Sequence, residues 1–295
     1  MSQVNKRLIA GIETGGTKIV CAVADAEKPA EILEKTVIPT LEPAATIPHV
    51  QDFLVGHHNS APIRALAVAS FGPVDVEESS ATYGRLLNTP KISWRGTDVR
   101  EFARPLEGAA FALMTDVDGA LLGESRAGAA QRTAGAVYMT VGTGVGISLL
   151  AGTDLVRGAR RPELGHMSVR RHPDDEFAGI CPTHGDCLEG MASGTAMQGR
   201  KTSQSEKQSA QLCAYYLGQA CSTLALTGIP EVIIVGGGVS TIPGLLEDAS
   251  DWMRCFLGDY LEGQDGAGAP TLTRPALGDD SGIIGALSVA HTLAS

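Results

Sequence analysis

The stretch Arg7–Ala24, which reads RLIAGIETGGTKIVCAVA, decides the fold. Two apolar runs flank the first glycine turn, Thr14–Thr17, and this arrangement predicts a β-hairpin. The pattern returns at Gly135–Leu150, GAVYMTVGTGVGISLL, where the second glycine turn, Val141–Gly144, separates two runs with β-branched residues. The repeat predicts a duplicated unit, with two related α/β halves facing a cleft.

Strand and helix patterns alternate along the remainder of the chain, which is typical of an α/β protein. The pattern predicts strands at 32–38, 63–70, 110–115, 231–235 and 271–277 and helices at 43–57, 118–130, 205–227, 243–261 and 281–293. We expect an N-terminal domain over 1–122 and a C-terminal domain over 123–295. The last helix is a candidate for packing back on the N-terminal domain.

The composition excludes several classes of protein. The chain has 295 residues, enough for one large or two smaller domains, and its net charge of −10 argues against a nucleic-acid partner. No apolar run is long enough to span a bilayer, and Met1 leads into a strand without a signal peptide, so we expect a cytoplasmic protein with no membrane partner. Four cysteines among apolar neighbours are expected to be buried thiols: Cys21, Cys213, Cys221 and Cys255.

The two glycine turns are candidate phosphate sites. Glycines let backbone N–H groups approach a phosphate closely, and neighbouring threonines add hydroxyl donors. Lys18 adds positive charge but precedes a strand, which argues against a P-loop. The candidate phosphate ligands are Thr14, Gly15, Gly16, Thr17 and Lys18 in the first turn and Thr140, Gly142, Thr143 and Gly144 in the second.

A third glycine cluster, Gly236, Gly237 and Gly238, follows a predicted buried strand. It is either a plain strand-to-helix turn or a place where a base or ribose approaches the backbone closely.

Three carboxylates stand at predicted element ends. Asp116 follows the strand 110–115, where α/β proteins place ligands, and a carboxylate there can take the proton of an attacking hydroxyl. Asp118 is interpreted as the N-cap of the next helix, with a ligand contact as the alternative. Glu13, beside the first glycine turn, is a candidate for holding Mg²⁺ directly or through water; the alternative is a solvated hairpin carboxylate.

The stretch Glu163–Glu189 reads ELGHMSVRRHPDDEFAGICPTHGDCLE and contains a metal-ligand pattern. The proposed tetrahedral zinc ligands are His166, Cys181, His184 and Cys187. The alternatives are that His172 replaces His166 as a ligand and that the loop holds no metal. Four protein ligands with no open position favour a structural zinc, which would hold Glu163 and Glu189 in place.

Together these motifs resemble the ROK family of sugar kinases and sugar-responsive repressors. The resemblance is carried by residues 11–18, 115–124, 140–146, 163–166 and 235–238 and by the Cys/His loop. It implies the actin-like ATPase fold, with two ribonuclease-H-like domains around an interdomain cleft that binds ATP. It also implies a homodimer.

Within the family, the chain is most similar to bacterial ROK fructokinases. Glu13 stands where many members have Asp, and the zinc loop reads Cys-Pro-Thr-His-Gly-Asp-Cys. The stretch Leu87–Trp94 resembles the Thr-Pro-Lys-x-x-Trp segment of fructokinases. Asp118 replaces an Asn that is frequent in the family.

The resemblance implies ATP-dependent phosphorylation of D-fructose to fructose 6-phosphate. It implies that Asp116 is the catalytic base, Glu13 lies near Mg²⁺, the glycine turns bind phosphate, Gly236–Gly238 lie by the adenosine, and the sugar is contacted by Asn88, Thr89, Pro90, Asp116, Glu163 and Glu189. The alternatives are a kinase for glucose, mannose or an N-acetylhexosamine, and a non-enzymatic sugar-sensing ROK protein lacking a DNA-binding domain. ROK repressors carry a helix-turn-helix before the first hairpin. Since the hairpin of this sequence begins within the first dozen residues, we expect no such segment.

Overall fold

The structure, a computed structural model, describes residues 7–158, 161–200, 205–261 and 268–295. The chain folds into two compact units. The first unit comprises Met1–Ala127 and Asp279–Ser295, and the second unit comprises Gly128–Gly278. The division falls where a helix ends, whereas a boundary after residue 122 would cut through that helix.

Ten strands and seven α-helices are described. The strands are β1 (Leu8–Thr14), β2 (Lys18–Asp25), β3 (Ile32–Pro39), β4 (Ile63–Ser70), β5 (Ala110–Thr115), β6 (Gly135–Val141), β7 (Val145–Ala151), β8 (Asp154–Leu155), β9 (Val232–Gly236) and β10 (Thr271–Thr273). The helices are α1 (Pro43–Ser60), α2 (Asp116–Ala127), α3 (Leu188–Ala192), α4 (Gly194–Arg200), α5 (Glu206–Ala225), α6 (Leu245–Leu257) and α7 (Ser281–Ala294). None of these helices is both long and apolar enough to cross a membrane.

The sheet of the first unit has the strand order β3-β2-β1-β4-β5. β2 pairs antiparallel with β1 and β3, whereas β4 is parallel to β1 and β5 is parallel to β4. The parallel register aligns Thr14, Ser70 and Thr115 in one row. The residues that follow this row, which include the first glycine turn and Asp116, therefore lie along one edge of the sheet.

Helices α2 and α7 pack at very short range in the first unit. α7 also covers β1 and β4. A Cβ added to Gly285 would overlap the carbonyl oxygen of Gly119, and one added to Gly123 would overlap that of Ser281. Glycines at these positions let the two helix backbones approach, and a buried 2.7 Å hydrogen bond from the Ser281 hydroxyl to Glu124 crosses the contact.

The sheet of the second unit has the order β10-β9-β6-β7-β8. β6 and β7 form an antiparallel hairpin, and β9 is parallel to β6. The two hairpins predicted from the repeated pattern are therefore both present. Helices α5 and α6 and the inner face of this sheet build the core of the second unit, with α5 starting at a capping box formed by Ser205 and Gln208.

The structure corrects the interpretation of Asp118 as a helix N-cap. α2 begins at Asp116, and the Thr115 hydroxyl accepts a 3.2 Å hydrogen bond from the N–H of Asp118. Thr115 therefore caps the helix, and Asp118 lies buried in the first turn.

The prediction that Cys255 is buried is also wrong, whereas Cys21, Cys213 and Cys221 are buried as predicted. Cys255 is exposed because α6 turns its apolar face, which includes Met253 and Leu257, toward the core. Apolar neighbours in sequence did not reveal which face of the helix the cysteine occupies.

β10 and α6 differ most from the predicted lengths. β10 covers only the start of the predicted strand 271–277, because Pro275 lacks the N–H that a ladder needs. α6 begins after Gly244, at φ 79°, and ends before Gly258, at φ 55°. Glycines in these left-handed conformations stop the helix inside the predicted range 243–261.

Candidate active site

The carbonyl groups of the first glycine turn are held by side chains and backbone from elsewhere in the first unit. The Thr40 hydroxyl donates to Gly15 O at 2.8 Å, and the Thr40 N–H donates to Thr17 O at 3.0 Å. The Lys91 ammonium donates to Gly16 O at 2.8 Å. The C=O and N–H of a trans peptide point in opposite directions. The N–H groups that share these three peptides with the held carbonyls therefore face away from the donors. This arrangement can present N–H groups to an anion.

Two predicted phosphate ligands have other partners in the structure. Thr14 is buried, and its hydroxyl donates to Ser70 Oγ at 3.1 Å and accepts from the Phe71 N–H at 3.1 Å. Thr14 thus joins the ends of β1 and β4. Lys18 lies at the turn surface, where its ammonium pairs with Asp279 at 3.1 Å.

Glu13 points its carboxyl group toward the first turn of α7, where a Cβ on Gly282 would overlap it. Its Oε2 atom is buried without a hydrogen-bond partner among the described residues. Burial, reinforced by the negative charges of Asp116, Asp279 and Asp280, raises the pKa of Glu13 to about 7, against the opposing effect of Lys18. A cation next to this carboxyl group would favour its ionised form.

Asp116 is the first residue of α2 and directly follows β5. The Val117 N–H donates to its Oδ1 atom at 2.9 Å. Burial raises the pKa of Asp116 to about 6, although hydrogen bonds from the backbone N–H groups of Val117 and Asp116 itself oppose the shift. A carboxyl group with this pKa is ionised at neutral pH and can still accept a proton, as a general base must.

The second glycine turn is supported in a similar way inside the second unit. The Gly194 N–H, at the start of α4, donates to Gly142 O at 2.7 Å. The neighbouring Thr195 hydroxyl donates to Thr143 O at 2.8 Å. In both units, donors from outside the turn fix its carbonyl groups on one side.

The two predicted sugar carboxylates of the second unit both adjoin the start of β7. Glu189, in α3, accepts a 3.0 Å hydrogen bond from the Val145 N–H, and its carboxylate lies against Gly144. Glu163 is exposed just before a 3₁₀ turn that packs on Val145, since a Cβ on Gly165 would overlap Val145 O. The structure therefore places Glu163 and Glu189 in segments that touch one residue beside the second glycine turn.

Packing explains two of the three glycines that end β9. A Cβ on Gly236 would overlap the Tyr138 hydroxyl, and a Cβ on Gly237, at φ 82°, would overlap Val141 O. Around Gly238, in contrast, a Cβ would have open space in the described part of the second unit. Among the three, Gly238 is therefore the position with open space beside its Cα in the described part of the second unit.

A four-residue metal-ligand group lies in the second unit. Its members are His166, Cys181, His184 and Cys187, whose ligand atoms lie within 4.8 Å of one another. The Cys181 Sγ is 3.7 Å from Nδ1 of both histidines, and the Cys187 Sγ is 3.6 Å from Nδ1 of His166. Zn–S bonds of about 2.3 Å and Zn–N bonds of about 2.0 Å at tetrahedral angles give ligand separations of about 3.5 Å. The residues present therefore fit a zinc ion.

His172, the alternative ligand, lies outside this group. Its Nδ1 accepts a hydrogen bond from the Asp174 N–H at 3.1 Å, and its ring packs edge-on against Tyr215 at 4.7 Å between centroids. The structure therefore brings His166 into the ligand group and uses His172 in packing on α5.

A buried ion pair supports the Cys/His loop, and sequence reasoning missed it. Arg200 pairs with Asp175 at 2.9 Å, and both side chains are fully buried. The Tyr216 hydroxyl donates to Asp175 at 2.7 Å, and Arg200 also donates to Met191 O at 2.6 Å. These bonds connect the segment before Cys181 with α3, α4 and α5. In the sequence, Asp175 lies in an acidic run that resembles a solvated surface.

The predicted sugar segment Asn88–Pro90 has a mixed environment in the first unit. Asn88 and Pro90 are exposed, whereas Thr89 is fully buried. The residue that reaches the first glycine turn is the next one, Lys91. Its place in the Thr-Pro-Lys-x-x-Trp stretch was the one available sequence signal for this contact.

A model of the ROK family matches residues 9–293. The chain belongs to the ROK family. It is 35% identical over 298 residues to a fructokinase from Zymomonas mobilis, covering 97% of each chain. It is 34% identical over 294 residues to a fructokinase from Pediococcus pentosaceus, covering 96% of this chain and 98% of the relative.

A ROK hexokinase from Thermus thermophilus has a similar structure. The TM-score is 0.77 at 25% sequence identity, and the match covers 97% of this chain and 98% of the hexokinase chain. This ROK protein therefore has the α/β, actin-like ATPase fold, as predicted. Its two hairpins with glycine turns are the corresponding elements of the two units.

Proposed function

We propose that this ROK protein is a fructokinase, which transfers the terminal phosphoryl group of ATP to D-fructose and forms fructose 6-phosphate. The observation that carries the proposal is Asp116, a carboxyl group with a pKa of about 6 on the same sheet edge as the first glycine turn. Family membership and the similarity to relatives named fructokinases support fructose as the sugar.

Asp116 would act as the general base of the transfer. The fructose hydroxyl gives its proton to the Asp116 carboxylate while its oxygen bonds to the γ-phosphorus. The bond from this phosphorus to the bridging oxygen breaks, and ADP leaves with the electron pair. We assign the glycine turns to the phosphates, where fixed N–H groups can stabilise the charge of the transition state.

Glu13 is the residue that we assign to Mg²⁺, directly or through water. The fit rests on its buried Oε2 atom without a described partner and on the oxygen ligands that Mg²⁺ prefers. When bound, Mg²⁺ would neutralise phosphate charge. The Glu13 carboxylate would hold it beside the first glycine turn.

We assign a structural zinc ion to the group of His166, Cys181, His184 and Cys187. All four positions of a tetrahedral ion are then taken by protein atoms, which is typical of structural sites. The zinc would fix the loop that leads into α3, and α3 carries Glu189.

For the substrates, we assign Glu163, Glu189, Asn88 and Pro90 to the sugar and Gly238 to the adenosine. Thr89 is buried and would act by supporting its neighbours. The active species is proposed to be a cytoplasmic homodimer that binds no nucleic acid. Light scattering should then give a mass of about twice 30.6 kDa.

A coupled ADP assay with ATP, Mg²⁺ and a panel of sugars tests the function. We expect kcat/KM for fructose to exceed that for glucose, mannose and N-acetylhexosamines by at least about tenfold. ³¹P NMR of the product identifies the phosphorylated hydroxyl. A higher kcat/KM with another hexose would assign a different sugar kinase, and sugar binding without ADP release would assign a sensor.

A further inference from the structure

Lys91 is a charged group among the donors that hold the first glycine turn. Its ammonium lies 2.8 Å from Gly16 O and 2.8 Å from Thr40 O. In the second turn, the corresponding donors are the neutral Gly194 N–H and Thr195 hydroxyl. The two turns thus differ in that a cation supports the first one.

The bond to Gly16 O sets the orientation of a peptide at the tip of the turn. When this carbonyl points at Lys91, the N–H of Thr17, in the same peptide, must point the opposite way. Without the bond, this peptide can rotate, since neighbouring glycines permit many backbone conformations. The bond to Lys91 therefore favours a turn conformation in which the Thr17 N–H faces away from the ammonium.

The backbone around Lys91 is anchored, so the ammonium cannot easily follow a moving turn. The indole N–H of Trp94, which is fully buried, donates to Leu41 O at 2.6 Å, and the Trp94 N–H donates to Lys91 O at 2.9 Å. Arg95 donates to Thr89 O at 2.8 Å. These bonds fix both sides of Lys91 against the end of β3.

We propose that Lys91 is a positioning residue for the nucleotide phosphates, which holds the first glycine turn in its anion-binding conformation and adds positive charge behind it. The proposal rests on the proposed function, because it takes the turn as a phosphate site. The ammonium has three hydrogens and two carbonyl acceptors, so it retains one donor for water.

The test compares Lys91→Met with Thr40→Val and with the control Lys28→Met. Methionine keeps the length of the lysine chain without its charge, and valine removes the hydroxyl that holds Gly15 O but keeps the backbone bond to Thr17 O. Lys28 is an exposed lysine paired with Glu31. Binding of the Mg²⁺ complex of the β,γ-imido analogue of ATP is measured by calorimetry, and KM values are measured for ATP and fructose.

We expect Lys91→Met to raise the Kd of the ATP analogue and KM for ATP by about tenfold or more, with KM for fructose changed by less than about threefold. Thr40→Val should shift the same parameters in the same direction, and Lys28→Met should leave them unchanged. Unchanged Trp94 fluorescence, measured with Trp252→Phe added to every protein, shows that the segment around residue 91 keeps its fold.

An unchanged Kd for the ATP analogue in folded Lys91→Met would overturn the proposal. A loss of thermal stability with unchanged KM for ATP would also overturn it, since the lysine would then be merely structural. If Lys91→Met fails to fold, the test rests on Thr40→Val. An unchanged ATP affinity of Thr40→Val would then overturn the proposal that donors to the carbonyl groups of the first glycine turn support phosphate binding. If the wild-type protein binds no ATP analogue, the proposed function itself is refuted. If the wild type binds the analogue and the variants bind it equally well, only the role of Lys91 is refuted.

Discussion

At the scale of single residues, Glu13 and Asp116 are carboxyl groups whose pKa values burial raises to about 7 and about 6. Their roles differ because their surroundings differ. Asp116 receives backbone N–H bonds that favour its ionised form, whereas Glu13 has a buried oxygen without a described partner. The first is suited to accept a proton and the second to face a cation.

Asp116→Asn should lower kcat for fructose phosphorylation by about 10²–10⁴-fold, because the amide cannot take the proton of the sugar hydroxyl. Steady-state kinetics with ATP and fructose measures the loss. Glu107→Gln, an exposed carboxylate in the same unit, serves as the control and should retain full activity. Turnover of Asp116→Asn within about tenfold of wild type would assign the base elsewhere.

The raised pKa of Asp116 predicts opposite effects of pH on activity and stability. kcat/KM should fall as the pH drops through about 6, because the base becomes protonated. The folded state binds this proton more tightly than the unfolded state, whose pKa is near 3.8, so stability falls as the pH rises from about 4 to about 6.

Asp116→Asn removes this ionisation. The unfolding free energy of the variant, relative to that of the wild type, should therefore rise by about 2–3 kcal/mol from pH 4 to pH 8. Urea unfolding at the two pH values measures the difference. The same difference in unfolding free energy between variant and wild type at both pH values would show that the carboxyl group is not desolvated in the folded protein.

Residue type and local spacing were sufficient to predict the glycine turns, Asp116 at a strand end and the Cys/His ligand group. The donors that hold the turns could not be predicted in this way. Thr40 and Thr195 act on carbonyl groups that are distant in sequence, and such bonds leave no local pattern. For Lys91, the Thr-Pro-Lys-x-x-Trp stretch was the one sequence signal. Asp118 was misassigned because two residues compete for one N-cap, and the preceding Thr115 occupies it.

At the scale of elements, the Cys/His loop has two supports of different chemistry. The proposed zinc would tie its ligands together, and the buried pair Arg200–Asp175 ties the preceding segment to three helices. Breaking either support should loosen α3 and with it the contact between Glu189 and the second glycine turn.

Freshly purified protein should contain about one zinc ion per chain. Cys187→Ser should lose most of this zinc and more than about 2 kcal/mol of stability, because metal binding is coupled to folding. His172→Ala, a matched control, should keep the zinc. Elemental analysis and thermal unfolding measure both quantities. Zinc lost from His172→Ala but retained in His166→Ala would contradict the ligand assignment.

The α2–α7 contact should be sensitive to a single methyl group. Gly285→Ala should cost about 2–3 kcal/mol of unfolding free energy, because its Cβ would overlap Gly119 O and force the helices apart. Gly56→Ala is the control: Gly56 lies in α1 with open space around its Cβ position, so alanine should stabilise by up to about 1 kcal/mol. Equal changes in unfolding free energy for Gly285→Ala and Gly56→Ala, measured by denaturant titration, would refute the close packing of α2 and α7.

At the scale of the whole molecule, each unit has its own buried apolar cluster. A ligand that binds only the folded protein stabilises it by mass action. Fructose at about 100 times its Kd should therefore add about 2.7 kcal/mol to the unfolding free energy of the folded protein. Calorimetric scans with fructose and with a sugar that is not phosphorylated measure the difference, and equal shifts would argue against fructose selectivity.

The first unit is discontinuous in sequence, since α7 lies beyond the whole of the second unit. A ribosome releases the chain in order, so residues 128–278 emerge before the helix that covers β1 and β4. A nascent chain paused at residue 278 would have every residue of the second unit, while the first would still expose the apolar sheet face that α7 covers. The half that begins synthesis first is thus the half that finishes folding last.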